Sequence, residues 1–433
     1  MENAASQTES AKGNTRHRIA VVTMGVKIGN ETRGYTRFRK ICEVLVNAGF
    51  AVDLYTSSFQ HWEKAPRNTA DPAYRNLPYT VRFIEEPGYK RNLDLGRIIS
   101  HHVAAKNLRG MLEDRFAQDP RAYSLIYSEI PPNDVARVCA ETAAKHGIPY
   151  VADVNDLWPE AMRMVADIPV ISDIAFKPFA DDAHVTYNLL SAVVGTSDEY
   201  AARPNADRRE PAQAITVYVG NDLPTFDEGA AAHATLVQKP ETEFWVIYAG
   251  TLGASYDVAT LVRASALADA AFKQDADRFG GRSVRCKILG DGPDRATLEA
   301  LAQETGAPVD FLGYTPYDQM AAYLCASDVT VNSLVKSAPQ SIVTKIGDYL
   351  ASAKPMINTG SSPEFRAKVE ADGFGANVEA ENPAELAALI CAFAAEPALC
   401  ATMGARARRI AEEQFDQNTS YQAIVNLISS LVN

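Results

Sequence analysis

Cysteine, histidine and long apolar runs are all in short supply. The six cysteines of the 433-residue chain, Cys42, Cys139, Cys286, Cys325, Cys391 and Cys400, form no C-x-x-C pair. That excludes a disulfide scaffold, and the thiols read as small buried side chains of a protein from a reducing compartment. The 7 histidines are dispersed, with no His-Glu-x-x-His and no Cys/His cluster. A structural or catalytic metal therefore has no candidate ligand set. A phosphate-binding G-x-x-x-x-G-K-[ST] loop and a G-x-S-x-G nucleophile elbow are also missing. No stretch reaches the roughly 18 apolar residues that span a bilayer. The leading MENAASQTESAKGNTRHR is polar and lacks the apolar core of a secretory signal. Basic charge is in deficit, 42 side chains against 54 acidic ones, a formal net charge of -12. Such a chain has no broad attraction for nucleic acid, although a local basic patch is compatible with it.

What the chain has is ordinary globular material, 47% hydrophobic and 22% charged, enough for two or three domains of roughly 150 residues each. Residues 1–16 read as a disordered tail. An apolar run at 19–24 then predicts a buried strand, followed by a loop holding Gly25, Gly29 and Gly34. Next comes a helix with Phe38, Ile41, Cys42, Leu45 and Val46 on one face, and a second strand at 52–56. Further strands are predicted at 79–84, 125–127, 149–154, 192–196 and 215–219, with a helix over 134–145. A second alternating series begins at 244–249 and continues with strands at 284–289, 309–312, 329–332 and 355–357. Its helices are expected at 257–270, 295–305, 317–326 and 343–353. The polar, proline-containing segment 201–213 marks a boundary. Two successive βα series predict two doubly wound Rossmann-like domains facing a central cleft, with ligands at the carboxyl ends of the strands.

Several turns could carry chemistry. The first loop does not match G-x-G-x-x-G. Gly29 is therefore either a plain turn residue or backbone laid over a ligand. Tyr248-Ala249-Gly250-Thr251-Leu252-Gly253 reads as a strand feeding a glycine turn and then a helix start, which suits a diphosphate. Leu289-Gly290-Asp291-Gly292-Pro293 is a second turn of that kind. In the run from Gln340 to Pro355, Lys345 and Asp348 are three apart and share one side of the expected helix. Lys345 could neutralise a phosphate and Asp348 could accept from a ribose diol. The plainer alternative is a surface ion pair worth a few tenths of a kcal/mol. Glu129 directly follows a predicted strand, and Asp156-Leu157-Trp158-Pro159-Glu160 follows another, so Glu129 and Asp156 are candidate acids or bases.

Taken together, these motifs resemble the GT-B glycosyltransferases of the large retaining group that includes sucrose and bacterial polysaccharide transferases. The resemblance spans about residues 18–425 and is densest at 248–253, 290–293, Phe311-Leu312-Gly313-Tyr314 and 345–355. The Asp156–Glu160 run is similar to that of fucosamine-type capsule or lipopolysaccharide transferases. The resemblance implies donor binding by the C-terminal half, through Gly250, Thr251, Gly253, Gly290, Asp291, Gly292 and Tyr314. It matches Asp348 with the second acid of an E-x7-E pattern, which holds the donor ribose, and Gln340 with the first, which touches the donor sugar. The pattern here is Gln-x7-Asp, a departure at the sugar contact. The basic residue usual after the first glycine turn is replaced by Tyr256-Asp257, so Lys336 or Lys345 is expected to supply the positive charge. No metal or other cofactor is implied.

The resulting expectations are definite. Residues 17–212 form the acceptor-side domain, 213–410 the nucleotide-sugar-binding domain, and 411–433 a helix that crosses back to the first. Glu129, Asp156 and Lys345 are the expected catalytic groups, with Gly29 among the donor contacts. The expected reaction is retaining transfer of a hexose-type sugar from UDP or another nucleoside diphosphate to a saccharide, free or lipid-linked, in cell-surface polysaccharide synthesis. The alternatives are a nucleotide-sugar 2-epimerase and a non-catalytic nucleotide-sugar-binding subunit. The expected location is the cytoplasm, with a peripheral contact at the inner face of the membrane left open.

Overall fold

The computed structural model describes residues 17–432, apart from Arg33 and residues 92–93, 164–170, Asp207 and 339–341. The expected tail at 1–16 and the candidate Gln340 lie outside the described residues. Among the described residues there are fifteen strands: β1 (Arg18–Thr23), β2 (Ala51–Ser57), β3 (Phe59–Gln60), β4 (Ala65–Pro66), β5 (Thr80–Ile84), β6 (Leu125–Ile130), β7 (Tyr150–Val154), β8 (Ala192–Gly195), β9 (Gln213–Thr216), β10 (Glu243–Ala249), β11 (Ser283–Leu289), β12 (Val309–Gly313), β13 (Val329–Asn332), β14 (Met356–Asn358) and β15 (Gly375–Asn377). The chain divides into two compact units. One comprises residues 1–152, 189–191 and 425–433; the other comprises 153–188 and 192–424.

In the first unit the strand order is β5-β2-β1-β6-β7. β1 pairs in parallel with β2 and β6, and β2 with β5. Ile19 to Val22 of β1 are wholly buried, as both faces of a parallel sheet require. The helix Arg37–Asn47 returns the chain between β1 and β2. Its Phe38, Ile41 and Leu45 recur at helical spacing and are fully buried. Truncating Phe38 to Ala would cost about 3–5 kcal/mol by the usual cavity arithmetic. Gly49, at φ +101°, lets the chain leave that helix and enter β2.

In the second unit six parallel strands run in the order β12-β11-β10-β13-β14-β15, and β8 pairs in parallel with β9. The order reverses about β10 and β13, the kind of switch point where open α/β sheets collect ligands at their carboxyl edge. The helix Val258–Gln274 packs Leu261, Val262, Ala264, Ala268 and Phe272 into a core with Val246, Tyr248, Cys286 and Ile288. A second core lies around Ile247, Leu289, Ile346, Tyr349, Leu350 and Phe365. Both units are thus Rossmann-like α/β folds, the fold class that the alternation predicts.

Candidate functional site

In the second unit, three strand ends converge through backbone alone. Gly250 N donates to Leu289 O at 2.9 Å, Leu252 N to Asp291 O at 3.0 Å, and Gly290 N to Gly313 O at 2.7 Å. There is no room for side chains between these turns. A Cβ on Gly290 would fall 1.9 Å from the Gly250 carbonyl oxygen, and one on Gly292 would fall 2.1 Å from that of Leu252. The candidates Gly250, Thr251, Gly253, Gly290, Asp291 and Gly292 therefore form one continuous backbone surface. Thr251 is exposed on it, and so is Tyr314, just past Gly313. Asp291 accepts from Gly292 N at 2.8 Å and lies 3.8 Å from Arg295.

One expectation about these turns is corrected. Gly250–Gly253 is not a helix start. The next helix begins at Val258, and its first turn is capped by Asp257, which accepts from Thr260 N at 3.1 Å. Between them the chain makes a further turn, closed by Tyr256 N donating to Gly253 O at 2.9 Å. A buried capping carboxylate already serves that helix end, so what the glycine turns present is loop backbone.

The Lys345 side chain lies against the first of these turns. Its Nζ lies 4.2 Å from the Tyr248 ring centre and 3.9 Å from that of Tyr256, and donates to Tyr248 Oη at 3.1 Å. A Cβ on Gly250 would come within 2.6 Å of this ammonium. Burial among these rings lowers the Lys345 pKa to about 7. Tyr256, which stands where the resemblance leads one to expect a basic residue, is one of the two rings that hold this lysine. Lys336 is exposed on the loop after β13, and its N donates to Glu381 at 3.2 Å.

Lys345 and Asp348 part company, which corrects a second expectation. The helix there is Ile346–Ala351, shorter than the expected 343–353, so Lys345 stands at its N-cap rather than inside its first turn. From that position the lysine turns to Tyr248 and Tyr256. Asp348 accepts instead from Asn221 Nδ2 at 2.9 Å and Tyr317 Oη at 2.7 Å. They are not an ion pair, so the surface-pair alternative does not apply. Burial raises the Asp348 carboxyl to about 6, against the pull of its two hydrogen bonds. Tyr349 fastens the short helix to β10, its hydroxyl accepting from Ala249 N at 2.8 Å and donating to Ala249 O at 3.1 Å. Neither Asn221 nor Tyr317 carried a sequence signal, because each is brought to Asp348 from a distant stretch of chain.

Asp156 also belongs to the second unit, and its carboxylate is engaged in its own turn. It accepts from Leu157 N at 2.9 Å and from Trp158 Nε1 at 3.2 Å. Glu160, next along, pairs with Arg203 at 2.8 Å. In the first unit, Glu129 is not past its strand as expected but within it, because β6 continues to Ile130. Its carboxylate accepts from Thr23 Oγ1 at 2.5 Å and Met24 N at 3.2 Å, at the carboxyl end of β1. Gly29 turns at φ +60° with the Tyr74 ring packed on it, a Cβ there falling 3.1 Å from the ring. The same loop is locked by a buried pair, Arg67 Nε to Glu31 Oε1 at 2.6 Å, with Arg67 also donating to Val26 O at 2.6 Å and Ser57 O at 2.7 Å. Among the described residues no group of three His, Cys, Asp or Glu could hold a metal ion.

The chain is similar to known proteins in one stretch of its sequence and in its whole fold. Residues 235–410 match the family model for glycosyl transferases group 1. HepE of Anabaena, solved with UDP, superposes with a TM-score of 0.65 at 17% identity, covering 96% of this chain and 100% of that one. Sucrose-phosphate synthase of Thermosynechococcus elongatus gives 0.64 at 18% identity, covering 96% and 99%. WaaG, a glycosyltransferase involved in lipopolysaccharide biosynthesis, gives 0.59 at 12%, covering 94% and 98%. No curated protein matches the sequence. Residues 235–410, within the second unit, are thus similar to group 1 glycosyl transferases, and the chain has the GT-B fold.

Proposed function

We infer that the glycine turns and Lys345 bind the diphosphate of a nucleotide-sugar, with Asp348 at the ribose, and that the enzyme transfers a hexose-type sugar with retention to a saccharide acceptor. The observation that carries this reading is the ammonium of Lys345 held by Tyr248 and Tyr256 against Gly250 at the carboxyl ends of β10 and β11. Bond breaking at the sugar's anomeric carbon leaves the electron pair on the diphosphate oxygen. A cation already positioned over the turn stabilises that charge as it forms, without reorganisation of solvent. In this reading no metal or other cofactor is needed, because the lysine supplies the neutralising charge. UDP is the favoured donor nucleotide, since HepE was solved with UDP and with UDP-glucose. A lipid-linked saccharide of a cell-surface polysaccharide is the favoured acceptor, in keeping with the Asp156–Glu160 resemblance and with WaaG's involvement in lipopolysaccharide biosynthesis. Glu129, beside Thr23 at the carboxyl end of β1, is the favoured acceptor-side carboxylate.

Calorimetric titration with UDP tests the donor half without an acceptor. Losing a charged contact to bound ligand costs roughly 2–5 kcal/mol, so Lys345→Ala and Asp348→Asn should each bind UDP at least about tenfold more weakly. Unchanged dissociation constants in both variants would remove these residues from the donor site. Release of free sugar or an epimerised nucleotide-sugar, with no product on any saccharide, would overturn transfer itself.

A further inference from the structure

The first unit holds a cavity of about 450 Å³ at the end of its sheet opposite the one that carries Glu129. Arg18, Ala51 and Thr80, which open β1, β2 and β5, all line it, so it lies at the amino ends of these strands. That volume matches a single small metabolite.

The lining indicates which kind. Phe50, Val52, Leu77 and Pro78 are its apolar part, Arg18 and Arg75 are its charged residues, and no carboxylate lines it. Arg18 is held by Asp53, which is wholly buried and accepts from Arg18 Nη1, Arg82 Nε and Tyr123 Oη, each at 2.7 Å. One carboxylate shared by two guanidiniums leaves a net positive charge, and Arg18 brings it to the cavity. Arg75 stands exposed and forms no ion pair among the described residues. Two guanidiniums beside apolar walls fit an anion with a ring body. Their planar forks take carboxylate or phosphate oxygens, and the walls take the ring.

A second observation joins this cavity to the loop after β1. Tyr74 lines the cavity and is buried. Its Oη donates to Glu31 Oε1 at 3.0 Å, and a Cβ on Gly29 would fall 3.1 Å from its ring. One side chain therefore touches both the cavity and the loop. We propose that the cavity is an effector site for a small ring-bearing organic anion, whose binding stiffens the loop after β1 through Tyr74. Such coupling needs no rearrangement, only a change in how freely the loop moves. The site does not depend on the donor reading, since all of its residues lie in the first unit.

The test is calorimetric titration of the full chain with phenyl phosphate and with benzoate, each with and without UDP. Phenyl phosphate should bind equally in both conditions, and the tighter of the two probes tells a phosphate ligand from a carboxylate one. Phenol and inorganic phosphate each lack half of the recognition and should bind at least about tenfold more weakly. Arg75→Gln and Thr80→Glu, both at exposed positions, should each weaken probe binding at least about fivefold and leave UDP titration unchanged. Amide hydrogen exchange at residues 26–31 should slow when the probe is bound. Tyr74→Phe keeps the ring but loses the Glu31 bond, so it should bind the probe without that slowing. No binding of either probe, inorganic phosphate binding as tightly as phenyl phosphate, or parent-like binding in both charge variants would overturn the site. Loss of probe binding when UDP is added would move the probe to the donor turns and overturn it too. Unchanged exchange at 26–31 would overturn the coupling. A chain that binds phenyl phosphate in this way but not UDP would strike only the donor reading.

Discussion

The two strand-to-helix loops that open the two sheets solve the same topological problem with opposite materials. After β10, the chain turns on glycines packed backbone to backbone against the turn after β11, with the ammonium of one lysine laid over Gly250. After β1, the loop is filled with side chains: the Glu31–Arg67 pair, Tyr74 against Gly29, and Trp62 against Gly25 and Gly34. A backbone surface presents N–H and C=O groups to any ligand of the right shape, which suits a constant group such as a diphosphate. A loop built from buried side chains fixes one specific shape, which suits discrimination among acceptors.

The largest effect should come from breaking the side-chain loop. Arg67 is 1% exposed and Glu31 8%, so Arg67→Met strands a buried carboxylate and should cost about 3–5 kcal/mol of stability. Denaturant melts would read this directly, and if the contrast between the loops holds, UDP affinity per folded molecule should not move. The converse variant is Gly290→Ala, which drives a methyl into the Gly250 carbonyl. It should cost about 1–3 kcal/mol by overpacking and weaken UDP binding as well. A variant that melts early but binds UDP normally would show that the backbone surface is not the ligand's seat.

A smaller effect should come from the lysine's cradle. Tyr256→Leu removes a ring 3.9 Å from the ammonium, worth about 0.5–2 kcal/mol in such contacts, whereas Tyr256→Phe keeps the ring. UDP binding should therefore weaken in the first and be restored in the second; equal loss in both would point to the hydroxyl instead. The mildest perturbation is pH. Lys345 is half-titrated near 7 without ligand, and a bound diphosphate favours its protonated form. UDP affinity should then fall as pH rises above about 7, by at most about one decade per pH unit, with proton uptake detectable in buffers of different ionisation heat. In the absence of ligand the sign reverses. The unfolded chain keeps that proton up to the ordinary value of 10.5, so this group's contribution to stability grows as pH rises from about 7.

The contrast also explains what the sequence made legible. Strands and glycine turns could be read because a parallel sheet demands apolar runs and its crossovers demand punctuation; β13 and the helices at 295–305 and 317–326 lie where their patterns put them. For the candidates Lys345 and Asp348, the sequence does not carry the arrangement. Their three-residue spacing predicts a shared face, yet the helix starts one residue after Lys345, and an N-cap side chain is free to swing elsewhere. The partners Tyr248, Tyr256, Asn221 and Tyr317 are set by tertiary contact, which local periodicity does not encode.

Tyr349 has a consequence for how placement errors spread. Its single phenol grips both the N–H and the carbonyl of Ala249, so the short helix is registered on the strand by two bonds to one residue. The lysine just before that helix and the aspartate inside it inherit their coordinates from this one grip. Loosening it, as Tyr349→Phe would, leaves Lys345 and Asp348 chemically intact while letting the two drift together, a correlated misalignment that replacing either group alone would not reproduce.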